Sequence, residues 1–298
     1  MKIYTDIITV SVVQKALESI AQEMAIVLRN TAFSPNIKER RDFSCALFNN
    51  LGDIIASKDG IPVHLGSMDL SIKAGLKRFS GEVVEGDVLV HNSPYLGGTH
   101  LPDITLYKPV RVQESSDTLF FVASRGHHSD VGGKVPGSMP GFSETLYEEG
   151  IQIPPLKLWE KGEINDQLFD LILSNVRTPK ERKGDLLAQK GSLDIGERRL
   201  KELFEKYSYP KMISILENLA MRTEKAIQDE IEKIPIDQIF SAEDIMDSDG
   251  NPNNELSKSI KIKTTIFRSK DSPSKLAIDF TGSSGARKAN CNATRGIT

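Results

Sequence analysis

From Asp6 to Thr31 the apolar positions Ile7, Val10, Val13, Leu17, Ile20, Met24 and Leu28 recur every three or four residues, the period of one buried helical face. Thr5 or Asp6 can accept from the first-turn amides. Ser34-Pro35-Asn36 ends the helix, because the residue before a proline is pushed out of helical space. Phe43-Ser44-Cys45-Ala46-Leu47-Phe48 then reads as a buried strand and Ile54-Ile55-Ala56 as its partner across a polar turn. Helical spacing returns over residues 68–79, with Ser67 as a cap, and residues 87–91 form a short strand. Two longer runs, 104–112 and 118–124, are rich in β-branched and aromatic residues and flank the polar turn 113–117.

Residues 131–155 are rich in glycine and proline and lack periodicity, which points to a functional loop covering a site. Helical signals dominate from Asn165. Thr178-Pro179-Lys180-Glu181 has the form of a capping box with proline at the first helical position, while Gly184, Gly191 and Gly196 weaken or break the helix it would start. Residues 211–234 form another long helix. Near Pro235 the character changes: residues 257–269 and 275–280 alternate as strands do. Asp247-Ser248-Asp249-Gly250-Asn251 has its glycine too early for a calcium loop and reads as a hairpin turn. The expected fold is mixed α/β (α+β). Residues 1–235 form a helix-and-sheet domain, and residues 236–298 form a β-rich region expected to begin a longer second domain and to leave its last edge unfinished.

The pattern acquires chemistry at the central pair of strands. If runs 104–112 and 118–124 form a hairpin centred near Ser115, partners sum to about 230, since antiparallel partners are equidistant from the turn. Asp103 then faces His127, and His100 faces Asp130. All five histidines, His64, His91, His100, His127 and His128, lie between positions 64 and 128. Their convergence with carboxylates at one hairpin end has the geometry of a metal site, and imidazole plus carboxylate without thiolate suits zinc, manganese or iron. A hydrogen-bonded structural cluster is the alternative.

Composition removes other options. With 38 basic and 41 acidic side chains, no net field favours nucleic acid or an anionic membrane. No apolar stretch is long enough to span a bilayer. Cys45 and Cys291 are too few for a disulfide framework, so a cytoplasmic home is expected. The stretch from Gly81 to Gly86 is followed by Asp87 rather than Lys, so it is not a phosphate loop. Any ATP used must be bound by another subunit.

Several long stretches resemble the hydantoinase B/oxoprolinase family. They include Ser34-Pro35-Asn36-Ile37-Lys38-Glu39-Arg40-Arg41-Asp42-Phe43-Ser44-Cys45, Pro62-Val63-His64-Leu65-Gly66-Ser67-Met68, Leu96-Gly97-Gly98-Thr99-His100-Leu101-Pro102-Asp103, His127-His128-Ser129-Asp130-Val131-Gly132-Gly133 and Asn175-Val176-Arg177-Thr178-Pro179. The resemblance implies the B-type subunit of an ATP-dependent cyclic amidohydrolase that opens 5-oxoproline or a hydantoin. In that scheme an A-type partner phosphorylates the ring amide within a hetero-oligomer. Through the family's acetone carboxylase branch, the resemblance implies a divalent metal held by His100, Asp103 and His127. Candidates for orienting those ligands or moving protons are His64, His128 and Asp130. Asp42 and Glu39 are weaker ones, for which ion pairing with Arg40 or Arg41 is an equal reading. The family also contains acetone and acetophenone carboxylase subunits, so a ketone carboxylase subunit or a non-catalytic assembly subunit stays open.

Overall fold

The computed structural model describes residues 6–58, 60–113, 119–251 and 259–298. The chain divides into two compact units. The first holds residues up to Pro140, Tyr147–Ile215 and Ala293–Thr298; the second holds Gly141–Leu146 and Leu216–Asn292.

In the first unit the helices are α1 (Ile7–Thr31), α2 (Pro35–Lys38), α3 (Pro62–Phe79), α4 (Asp166–Ser174) and α5 (Pro179–Tyr207), followed by the start of α6 (Tyr209–Glu232). The strands are β1 (Phe43–Phe48), β2 (Ile54–Lys58), β3 (Val88–His91), β4 (Asp103–Arg111), β5 (Leu119–His127), β6 (Leu156–Glu160) and β7 (Glu163–Ile164). They form one 7-stranded sheet in the order β2-β1-β5-β4-β3-β6-β7, antiparallel at every pairing. Helices α1 and α5 pack on one face, and α3 covers the other.

Both faces of the central strands are covered, which is why β1 is buried at every position and β4 at all but its last. Alternation then sorts their side chains by parity. Tyr107, Phe121 and Ala123 pack toward α3 with Met68 and Ile72. Lys108 points the other way, to Asp194 and Glu197 on α5. The hairpin register is as expected from the sum of residue numbers: Asp103 pairs with His127 and Ile104 with Gly126. The turn itself, at residues 114–118, lies outside the described residues.

Several elements differ from their sequence expectation for identifiable reasons. Asp6 caps α1, its carboxylate accepting from the Thr9 amide at 2.9 Å. Helix α3 starts at Pro62, ahead of the apolar periodicity at Met68, because proline suits a first helical turn that needs no donor. Ser67 is therefore inside the helix and not its cap. Helix α5 is unbroken across its glycines. Gly184 sits under the Phe33 ring and Gly196 under Met24 and Val122, where a Cβ would collide, so these glycines permit close packing. Thr178 precedes α5 but makes no capping bond from its side chain; Glu181 pairs with Arg182 instead of closing a box.

The second unit holds the rest of α6 and a 3-stranded antiparallel sheet, β10-β9-β8, from β8 (Ile239–Met246), β9 (Ile260–Arg268) and β10 (Leu276–Asp279). Met246 pairs with Ile260 at the end of the antiparallel β8–β9 ladder; of the expected turn beyond Met246, residues 252–258 lie outside the described residues. Strand β8 is exposed at every position, and without a buried face it carries no alternation to read. Among the described residues no helix is long and apolar enough to cross a membrane.

Candidate metal centre

The open end of the β4–β5 hairpin gathers its side chains by simple rules. Asp103 and His127 are the last pair of the ladder and point to the α3 face with Arg125 and Thr105. His100 comes from the tight turn before β4, in which the Asp103 amide donates to the His100 carbonyl at 3.1 Å. A 3-10 turn at Pro94–Leu96 and the left-handed Gly97 bring that loop in. There the His100 Nε2 lies 2.9 Å from Asp103 Oδ1 and 3.1 Å from His127 Nδ1, and His127 Nδ1 lies 3.3 Å from Asp103 Oδ1. These three residues form the group of His, Cys, Asp or Glu side chains able to hold one metal ion among the described residues.

The two oxygens of Asp103 have different surroundings. Oδ2 accepts from the Thr99 hydroxyl and from His64 Nε2, the latter at 3.2 Å. Oδ1 is buried without a hydrogen-bond donor aimed at it, although two imidazole nitrogens lie close by. Such an orphaned acceptor facing two ring nitrogens is what a shared cation would satisfy. The triangle's edges are close to the ~3.3 Å that two ligands of a tetrahedral zinc keep when each is about 2.0–2.1 Å from it. The residues present fit a divalent ion. Burial works against the Asp103 charge, but the imidazoles of His100, His127 and His64 outweigh it and hold the carboxyl well below the usual range. Burial likewise opposes a charge on His100, and the Asp103 carboxylate raises it nonetheless.

Of the residues expected to assist, His64 is brought in. Helix α3 starts early enough to carry it, and its Nδ1 lies 3.2 Å from the Ser44 hydroxyl. In the neutral ring Nε2 then carries the proton toward Asp103, whose carboxylate can only accept, and Ser44 donates to Nδ1. This is the orienting contact a ligating carboxylate needs.

Two expectations are corrected. His128 follows His127 and so projects from the opposite face of the sheet. It is fully buried there, its Nε2 2.9 Å from the Gln189 side-chain oxygen on α5. Burial pushes its pKa down, and the Arg182 charge adds to this, so it stays a neutral core group. Asp130 does not face His100. The ladder ends at His127, and the chain turns away. Asp130 accepts from the amides of Gly132, Gly137 and Arg177 and pairs with the Arg177 guanidinium at 3.0 Å. These contacts overcome the cost of its burial, keep its carboxyl low and pin the start of the glycine-rich loop.

Asp42 lies nearer the site than its arginine neighbours suggest. Its expected pairing with Arg40 or Arg41 is replaced by approach to the histidines, 3.7 Å from His127 Nδ1 and 3.9 Å from His64 Nε2. A signal for this exists in the chain order: Asp42 directly precedes β1, and its carbonyl accepts from the His127 amide at 2.9 Å. Partly exposed, it stands at the rim of the triangle.

Residues 6–298 match the family description hydantoinase B/oxoprolinase. The chain is 41% identical over 296 residues to a Methanocaldococcus jannaschii protein, covering 98% of this chain and 50% of that one. It is 34% identical to 5-oxoprolinase 1 of Arabidopsis thaliana, covering 98% of this chain and 24% of the plant protein. It thus spans about half, or less, of the length of these relatives. Among solved structures, the ATP-dependent caprolactamase of Pseudomonas jessenii superposes with a TM-score of 0.81 at 31% identity, over 93% of this chain and 46% of that one. Acetone carboxylase superposes with a TM-score of 0.84 over 97% of this chain and 39% of that one; at 18% identity this likeness is one of fold. The chain belongs to the hydantoinase B/oxoprolinase family.

Proposed function

We propose that this protein is the B-type subunit of an ATP-dependent cyclic amidohydrolase, opening 5-oxoproline, a hydantoin or a related lactam after an A-type partner has phosphorylated the ring amide. The observation that carries the reading is the triangle of His100 Nε2, Asp103 Oδ1 and His127 Nδ1, in which the carboxylate oxygen has no hydrogen-bond donor aimed at it. Relatives named 5-oxoprolinase and caprolactamase subunit beta support the cyclic-amide class. The name of the latter also supports a second subunit.

His100, Asp103 and His127 would hold the ion, with zinc, manganese or iron compatible with the donor set. When bound, such an ion polarises a carbonyl or lowers the pKa of a coordinated water. The remaining work falls to the chain's own groups. His64 and Thr99 hold Asp103 Oδ2, so that Oδ1 stays turned to the imidazoles. Asp42, at the rim, is the carboxylate positioned to accept a proton from an attacking water. Three protein donors leave room for water or substrate, which favours chemistry over a purely structural role. The carboxylase alternative has a likeness of fold in its support, and the three candidate ligands would serve it equally; the cyclic-amide names of the more similar relatives favour ring opening.

The test is an ATP-dependent ring-opening assay with the A-type partner, offering 5-oxoproline, hydantoins and lactams. Ring opening that disappears with His127→Ala supports the reading. Ketone- and bicarbonate-dependent ATP turnover without ring opening contradicts it.

A further inference from the structure

Arg125 is fully buried beneath the cluster, yet its partners are hydroxyls and carbonyls, not carboxylates. Nε donates to Thr105 Oγ1 at 2.8 Å, and Nη1 donates to Ser67 Oγ and, at 3.5 Å, to the His64 carbonyl. Nη2 donates to Ser71 Oγ at 2.6 Å and to the Gly97 carbonyl at 2.9 Å. Burying a cation without a contacting counter-charge is expensive, and burial lowers even this guanidinium, to a pKa of about 10. An arginine kept there has a geometric use.

The contacts show which one. Thr105 is two residues from Asp103 on β4, and Arg125 itself is two residues from His127 on β5, on the same face. The His64 carbonyl and Ser67 belong to the first turns of α3, which carries the imidazole that holds Asp103. Gly97 starts the loop that delivers Thr99 and His100; a Cβ there would strike the α3 backbone at Leu70 and Ser71, so loop and helix are in direct contact. One planar fork therefore touches every segment that supplies His64, His100, Asp103 and His127. A lysine ammonium in its place keeps the charge but cannot span four segments with fixed directions.

We infer that Arg125 is the positioning residue of the metal centre: it sets the spacing of the four segments and, through them, the convergence of the ligand atoms. Its charge does not help, since a buried cation repels a divalent ion; the donor fork is what matters. The inference rests on the proposed reading of the cluster as a metal site, and the test separates the two.

The protein is titrated with zinc or manganese alone as wild type, Arg125→Lys, Arg125→Met and Lys108→Met. The last removes a buried ion pair with Asp194 and Glu197 on the opposite face of the same hairpin and serves as a control for lost stability. The ring nitrogens of His64, His100 and His127 are followed in parallel by long-range 1H–15N correlation in metal-free protein. Arg125→Lys is expected to weaken metal binding about 10- to 100-fold, the range for groups that orient ligands, and to shift the ring-nitrogen signals. Arg125→Met should resemble it. Lys108→Met should lower the melting temperature with affinity and signals unchanged. Arg125→Lys with wild-type affinity and signals overturns the inference, as does an equal affinity loss in Lys108→Met. If the wild type takes up no metal, the site reading fails, and the ring-nitrogen signals of Arg125→Lys alone decide the role of Arg125. If that variant does not fold, Ser71→Ala, which removes one acceptor, replaces it with a loss of about tenfold expected.

Discussion

His127 and His128 are neighbours in sequence, and the fold separates them completely. His127 ends β5 on the α3 face, where its nitrogen meets another imidazole and a carboxylate whose inner oxygen has no donor. His128 turns to the α5 face, is sealed against Gln189 and stays neutral. The two faces of one hairpin thus use the same side chain for opposite purposes. On one side, polar groups are arranged so that an acceptor is left open. On the other, the Gln189 amide also donates to the Ile104 and Ser124 carbonyls, and the cluster serves to lock α5 onto the sheet. On the α3 face the unsatisfied acceptor lies beside two other candidate ligand atoms, whereas His128 has one ring nitrogen on the Gln189 amide and the other unpartnered in the core.

The comparison breaks most visibly if the histidines are exchanged in role. His127→Ala is expected to abolish metal uptake and ring opening, with the fold retained by circular dichroism. Metal uptake at the wild-type level in this variant would dismantle the account of the α3 face. The next effect belongs to His64→Ala, which frees Asp103 Oδ2 from one of its two partners. Metal affinity should fall by about 10- to 100-fold, measurable by calorimetric titration.

His128→Phe should do the reverse. It leaves the Gln189 side-chain oxygen without its partner and costs about 1–3 kcal/mol in denaturant unfolding, while metal affinity stays at the wild-type value. A selective loss of metal binding would restore His128 to the site.

The smallest effect at neutral pH comes from His91, buried with both ring nitrogens unpartnered. Burial, reinforced by the Arg125 charge, lowers its pKa to about 3. The unfolded chain therefore takes up a proton below about pH 6.5 that the folded protein refuses until about pH 3. Stability is fully present above that window and is lost as pH falls through it, by on the order of 2 kcal/mol at pH 5. In His91→Leu that slope should flatten, with little change at pH 7. An unaltered acid limb in urea titrations would show that His91 is protonated in the folded state.

Much of the site could be read from residue numbers because hairpin pairing is arithmetic. A centre near Ser115 places Asp103 against His127 wherever the turn residues lie. The same arithmetic fails for His100 and Asp130, since it is carried past the last ladder pair into chain that no longer pairs. Parity assigns His128 to the other face, because consecutive strand residues cannot share one. Asp42 is hidden in the sequence by adjacent arginines that offer a simpler partner. In the fold, α1 follows its periodicity closely, whereas the start of α3, Pro62-Val63-His64-Leu65-Gly66-Ser67, breaks the apolar spacing with proline, glycine and serine. Strands β6 and β8 are not legible. The first is short, and the second is exposed on both faces, so neither shows the alternation that reveals a strand.

The central claim is that His100, Asp103 and His127 jointly hold one divalent ion. Crystals of manganese-loaded protein, measured for anomalous scattering, test it directly. The account predicts one strong peak about 2.0–2.2 Å from His100 Nε2, Asp103 Oδ1 and His127 Nδ1, absent from crystals of His127→Ala and retained in His128→Phe. A peak elsewhere, or none at saturating manganese with the three side chains unmoved, would contradict it.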